Sequence, residues 1–172
     1  MNLKQPSNKL RMITHMHSSN DQALSKSKVI FLDIDGVLNS QRSCFNDDLS
    51  TYCRFGYIGT NELARFHKLL EDTNAKVVLI SSWANPRDKN RESEIAEVLN
   101  IEVYDTIAST GGGRQRGYHV MDYVNEHNLE HWVVIEDSIQ HYVYEMDYHF
   151  VNVNGLIGLT HYDCELAKNI LE

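Results

Sequence analysis

Five short apolar runs, each breaking off at polar residues, constrain this chain more than any other feature. They are residues 29–33 (VIFLD), 76–81 (KVVLIS), 132–135 (WVVI, followed by Glu136 and Asp137), 149–153 (HFVNV) and the weaker 102–107 (EVYDTI). Short apolar runs without strict alternation fit strands buried on both faces, as parallel strands are. Helical spacing fills the gaps between them. Residues 61–72 place Leu63, Phe66, Leu69 and Leu70 on one face. Shorter patterns follow at 92–99, at 115–127 (Val120, Tyr123, Val124) and at 138–148 (Ile139, Val143, Met146). Thr160, with Asp163 three positions on, reads as a cap opening a last helix through Leu166, Ile170 and Leu171. Strand–helix alternation of this kind predicts an α/β fold with a mainly parallel central sheet flanked by helices. In such sheets ligands sit at the carboxyl ends of the strands.

Charge divides the chain. The 172 residues carry a net charge of −8, yet residues 1–28 hold five basic residues and a single acid. The rest holds 11 basic and 23 acidic residues. Residues 1–28 therefore read as a flexible basic arm and 29–172 as one domain. An acidic domain is unsuited to coating duplex nucleic acid, but it can still grip one phosphate. No apolar stretch approaches the length of a membrane span, so a cytoplasmic protein with no membrane partner is expected. Cys44, Cys53 and Cys164 lack metal-ligand spacing and read as reduced thiols.

Chemistry-bearing residues gather where the strands end. The first run closes on Asp33-Ile-Asp35-Gly36. One carboxylate there can act as nucleophile and the other as proton donor, while Gly36 allows a sharp turn. The second closes on Ser81 and Ser82, whose hydroxyls and nearby amides can cup an anion. Arg114 and Arg116 follow three glycines at a helix entry and can neutralise phosphate. The third closes on Glu136 and Asp137, acids suited to a Mg²⁺ site built with Asp33.

These motifs, in this order, resemble the haloacid dehalogenase (HAD) superfamily of phosphotransferases. DIDGVLN is similar to its first motif, VVLISS to its second, Arg116 opening RGYHVMDYV to its third, and VVIED to its fourth. The resemblance implies a Rossmann-like HAD fold. It makes Asp33 the nucleophile and Asp35 the general acid/base. Ser81, Ser82, Arg116 and Arg114 become phosphate ligands, with Mg²⁺ held at Asp33, Asp35, Asp137 and Glu136. Within that set it gives the metal to Asp137 and a supporting part to Glu136. LNS, SSW, the Gly-Arg loop and GLIGLT look closer still to the HAD domain of RNA-repair proteins and to polynucleotide 3′-phosphatase domains. Glu136 stands where Asp is commoner, and Ala84 where an arginine often follows SSW.

Superfamily members differ by cap domains inserted after the first or second motif. The 45 residues between Asp35 and Ser81, and the 33 between Ser82 and Arg116, leave room for a flap at 44–59 but not for a full cap. An open site suits a phosphate on a large substrate. Arg87, Lys89, Arg91, Arg114 and Arg116 flank the expected pocket, and Tyr52, Phe55 and Tyr57 of the flap can stack on a base. The expected activity is a Mg²⁺-dependent phosphohydrolase working through an aspartyl-phosphate, on a polynucleotide end or nucleotide. A phosphoprotein or small-metabolite phosphatase is one alternative. Another is a catalytically silent HAD-fold phosphate-binding or regulatory module, against which the intact D-x-D argues. A receiver domain would carry its phosphoacceptor on a later strand.

Overall fold

The computed structural model describes residues 24–46, 49–107 and 115–172. Its centre is a parallel sheet of five strands: β1 (Lys28–Leu32), β4 (Lys76–Leu79), β5 (Val103–Thr106), β6 (His131–Glu136) and β7 (Phe150–Asn152). They lie in the order β5-β4-β1-β6-β7. All five apolar runs are thus strands, and the weak run at 102–107 is the edge strand β5. Between β1 and β4 come a one-turn helix α1 (Gln41–Cys44), an antiparallel hairpin of β2 (Ser50–Cys53) and β3 (Gly56–Gly59), and helix α2 (Thr60–Thr73). Helices α3 (Lys89–Leu99), α4 (Arg116–His127) and α5 (His161–Ile170) complete the chain order.

Strand β1 explains the layering. From Val29 to Leu32 every side chain is buried, and alternate residues serve opposite faces. Ile30 and Leu32 pack with Phe66 and Leu69 of α2, Ile95 and Leu99 of α3, and Ala167 of α5. Val29 and Phe31 pack on the other face with Val120 and Val124 of α4, Trp132 and Met146. The result is a three-layer α/β/α sandwich.

The chain adds β4 and β5 on one side of β1, then crosses by α4 to add β6 and β7 on the other. Consecutive elements part company on either side of β1, which makes its carboxyl end the switch point where such sheets bind ligands. Register brings the tips level: Leu32 pairs with both Leu79 and Ile135, and the Asp33 amide donates to the Ile135 carbonyl at 3.0 Å. Among the described residues only α1, the hairpin and α2 lie between β1 and β4, which leaves no room there for a full cap domain.

One expectation needs correction. Residues 138–148 form no α-helix but two 3-10 turns, Ile139–His141 and Tyr144–Met146, with Tyr142 and Val143 extended between them. The segment is rich in β-branched and aromatic residues of modest helix propensity, and its apolar spacing misleads because Ile139 faces solvent. Residues 24–28 pack with the rest of the described structure: Leu24 is buried with Trp132, and the Glu130 amide donates to the Ser25 carbonyl at 3.0 Å. No described helix is long and apolar enough to cross a membrane.

Helix ends follow local chemistry. Helices α2, α3 and α4 stop at Asn74, Asn100 and Asn128, each left-handed. Helix α5 opens with a full capping box: the Asp163 amide donates to Thr160 Oγ1 at 3.2 Å, and the Thr160 amide to Asp163 Oδ2 at 2.8 Å. Thr160→Ala should lower unfolding free energy by about 1 kcal/mol in a urea titration. An unchanged midpoint would mean that the box contributes nothing here.

Candidate active site

Three strand ends and one helix start build the site. Asp33 leaves β1, Ser81 lies two residues past β4, Glu136 ends β6 with Asp137 next to it, and Arg116 opens α4. Asp33, Glu136 and Arg116 are almost wholly buried, at 4%, 1% and 8% exposure. Arg116 Nη1 pairs closely with Glu136 Oε2 and lies 3.3 Å from Asp33 Oδ1. That second contact has the distance of an ion pair but not the alignment of a hydrogen bond, so Asp33 Oδ1 has no hydrogen-bond partner. Glu136 Oε1 accepts from the Ser138 amide at 3.1 Å.

Burial governs the electrostatics. It pushes the Asp33 carboxyl up from 3.8 to about 7, and the charge of Glu136 pushes the same way. Arg116, the Ile34 amide and the Ser81 hydroxyl oppose this. Burial likewise raises Glu136, against the pull of Arg116. The His141 imidazole is lowered, first by burial and then by Arg116. Its buried Nδ1 has no hydrogen-bond partner.

Asp35 lives in different surroundings. It is exposed and held by donors: Asn39 Nδ2 and Trp83 Nε1 to Oδ1, each at 2.9 Å, and Ser82 Oγ to Oδ2 at 3.3 Å. Ser81 is fully buried, and its Oγ accepts from the Trp83 amide at 3.3 Å.

A metal cluster is legible in the geometry. Carboxylate oxygens of Asp33, Glu136 and Asp137 lie within 4.8 Å of one another. The Asp137 carboxylate fits against backbone that only glycine permits. A Cβ on Gly36 would come 2.1 Å from Asp137 Oδ2, and one on Gly155 would come 2.5 Å from it. Gly36 is also left-handed, at φ +73°. An all-oxygen donor set, an unpartnered buried Asp33 oxygen and a cradled Asp137 fit a hard divalent cation. Asp35, expected among the metal carboxylates, stays outside this cluster because its oxygens face the Trp83, Ser82 and Asn39 donors. Glu136 belongs to it but is already occupied by Arg116 and Ser138.

Residues 29–164 match the family model for the HAD domain in Swiss Army Knife RNA repair proteins. The chain belongs to this family. No curated protein matches it. Among solved structures, this HAD domain is similar to a protein named as a HAD superfamily (subfamily III A) hydrolase from Legionella pneumophila, at 17% identity over 92% of each chain with a TM-score of 0.44. It is also similar to a hypothetical protein from Xanthomonas campestris, at 14% identity over 88% of this chain and 86% of the other, again with a TM-score of 0.44.

The basic cluster read from sequence is mostly committed to the HAD domain itself. Arg116 is locked between acids, Lys89 Nζ lies 3.1 Å from Glu92 Oε2, and Arg91 Nε donates to the Trp83 carbonyl. Arg87 is exposed, and Arg114 lies outside the described residues. Phe55 packs on Trp83 rather than facing a ligand, whereas Tyr52 and Tyr57 form an edge-on pair on the hairpin, with Tyr52 exposed. Sequence reasoning missed Asn39, Trp83 and His141 as site residues. The first two sit inside quoted motifs, but nothing in their type announced a contact with Asp35.

Stability should register the buried carboxyls. Asp33 binds its proton more tightly folded than unfolded, so its contribution is fully present below about pH 4 and is lost as pH rises towards 7. At pH 8 the metal-free protein should therefore gain more in melting temperature from Mg²⁺ than at pH 5, where protons compete for the same oxygens. Gly36→Ala should erase that Mg²⁺ increment and cost about 1–3 kcal/mol. An equal Mg²⁺ increment at both pH values would contradict the assignment.

Proposed function

We propose that this HAD domain is a Mg²⁺-dependent phosphomonoester hydrolase that passes the phosphoryl group through Asp33. The observation that carries the reading is the pairing of two unlike acids at the end of β1. Asp33 is buried beside Arg116 with one oxygen that accepts no hydrogen bond, and Asp35 is exposed and held by three side-chain donors. Asp33 suits the nucleophile because Arg116 and a cation held by the Asp33, Glu136 and Asp137 oxygens would favour its ionised form, and Asp35, open to solvent, suits proton exchange with the leaving oxygen and with water.

In the first step an Asp33 oxygen attacks phosphorus, the bond to the leaving oxygen breaks, and Asp35 gives that oxygen its proton. In the second, Asp35 takes a proton from water as the water oxygen attacks phosphorus, and Asp33 is released. Arg116 lies beside Asp33 and offsets part of the negative charge gathered there, and it orients Asp33 through the fixed Glu136. Ser81 and Ser82, at the end of β4, would bind the transferred phosphoryl group. Asp33 and Asp137 would hold Mg²⁺, which supplies charge neutralisation for an incoming dianion.

We further propose a phosphate on a nucleic-acid end or nucleotide as substrate. The family's place in RNA repair proteins supports this, as does the lack of an inserted cap domain among the described residues. Asp33→Asn should abolish phosphate release from an aryl phosphate, a loss of about 4 kcal/mol or more of barrier stabilisation, and EDTA should do the same. Full activity in that variant would end the proposal. On a panel of terminally phosphorylated oligonucleotides, nucleoside monophosphates, phosphopeptides and sugar phosphates, the first two should be preferred. Turnover of sugar phosphates alone would refute the nucleic-acid preference.

A further inference from the structure

Trp83 touches Asp35 but belongs to none of the roles assigned so far. Its Nε1 donates to Asp35 Oδ1 at 2.9 Å, the same oxygen that accepts from Asn39 Nδ2. The other oxygen, Oδ2, has only the longer 3.3 Å contact from Ser82 Oγ. Two donors on Oδ1 leave Oδ2 the freer oxygen to carry a proton.

The indole is itself held firmly. It is buried, its amide donates to Ser81 Oγ, and its carbonyl accepts from Arg91 Nε. The hairpin tip closes over it: the Phe55 ring lies 5.6 Å away at 36°, and a Cβ on Gly56 would be 3.4 Å from the indole edge. Phe55 in turn lies under two guanidiniums, Arg54 at 5.0 Å and Arg91 at 5.4 Å. Arg54 Nη1 pairs with Glu94 Oε1 at 2.6 Å, tying the tip to α3.

We propose that Trp83 is a positioning residue for Asp35, latched in place by the hairpin tip. The inference rests on the phosphatase reading above. Water can replace a hydrogen bond to an exposed carboxylate, but it cannot fix that carboxylate's torsion. A rigid indole N–H can. What it secures is the line from the Asp35 proton to the leaving oxygen, so its effect belongs to the transition state rather than to phosphate binding. It matters most for leaving groups that need a proton to depart.

The test uses the full chain with Mg²⁺, an alkyl phosphate and dinitrophenyl phosphate, whose phenolate leaves without protonation. Trp83→Phe keeps a ring against Phe55 and deletes the donor. It should lower kcat/KM on the alkyl ester by about ten- to a hundredfold and on the dinitrophenyl ester by less than about threefold. Competitive inhibition by inorganic phosphate should stay unchanged. Equal losses on both esters, or none on either, would overturn the proposal. If Trp83→Phe fails to fold, benzothienylalanine at position 83 repeats the test, since it matches the indole outline without the N–H. Wild-type protein inactive on both esters would sink the phosphatase reading and this inference together. Active wild type with an unselective Trp83→Phe loss overturns the role of Trp83 alone.

Discussion

Two carboxylates and one guanidinium, shut away from water at the end of the central strand, set the terms for the rest of the site. Taking such groups out of solvent costs several kcal/mol per ion, and attraction offsets that only when charges and hydrogen bonds are matched. Here they are not. Arg116 is one positive charge facing Asp33, Glu136 and the neighbouring Asp137. Burial first, and the charge of Glu136 second, raise the Asp33 carboxyl, and its Oδ1 has no hydrogen-bond partner. A cluster left negative in this way is disposed to accept a proton or a divalent cation. The fold supplies it because register sets the tips of β1, β4 and β6 side by side.

Asp35 shows the converse. Two residues further on, just before the turn at Gly36, the carboxylate has emerged into a ring of donors. The same side chain therefore takes two characters from two surroundings, one buried beside a guanidinium and other acids, the other open to solvent and held by neutral donors. The second depends on contacts from far along the chain. Trp83 comes from beyond β4, and Phe55, which holds Trp83, comes from the hairpin. A short hairpin in place of a cap domain thus bears on the site by packing.

Much of this could be read before the structure. Strands β1, β4 and β6 were visible because burial leaves unbroken apolar runs, the half-exposed β5 and β7 showed as weaker ones, and Thr160 with Asp163 marked the last helix through a local hydrogen-bond pattern. The acids and Ser81 were legible for the same reason: motifs at strand ends report backbone placement directly. What lay hidden depended on contacts between distant segments. Residues 138–148 have helical spacing, yet only Val143 and Met146 of the expected face are buried. Arg91 and Lys89 looked like free cations because charge counts do not show that Trp83, Phe55 and Glu92 claim them. The donors to Asp35 were hidden likewise: a tryptophan after two serines reads as core until its N–H is seen to find a carboxylate.

The central claim is that the buried Asp33 takes the phosphoryl group while the exposed Asp35 does not. Trapping tests it directly. The protein is incubated with Mg²⁺ and an aryl phosphate, quenched in acid, reduced with borohydride and mapped by peptide mass spectrometry. Borohydride converts a phosphorylated aspartate into homoserine. The expected result is homoserine at position 33 and unmodified aspartate at position 35, dependent on both Mg²⁺ and substrate. Homoserine at position 35, or turnover with none at position 33, would contradict the account.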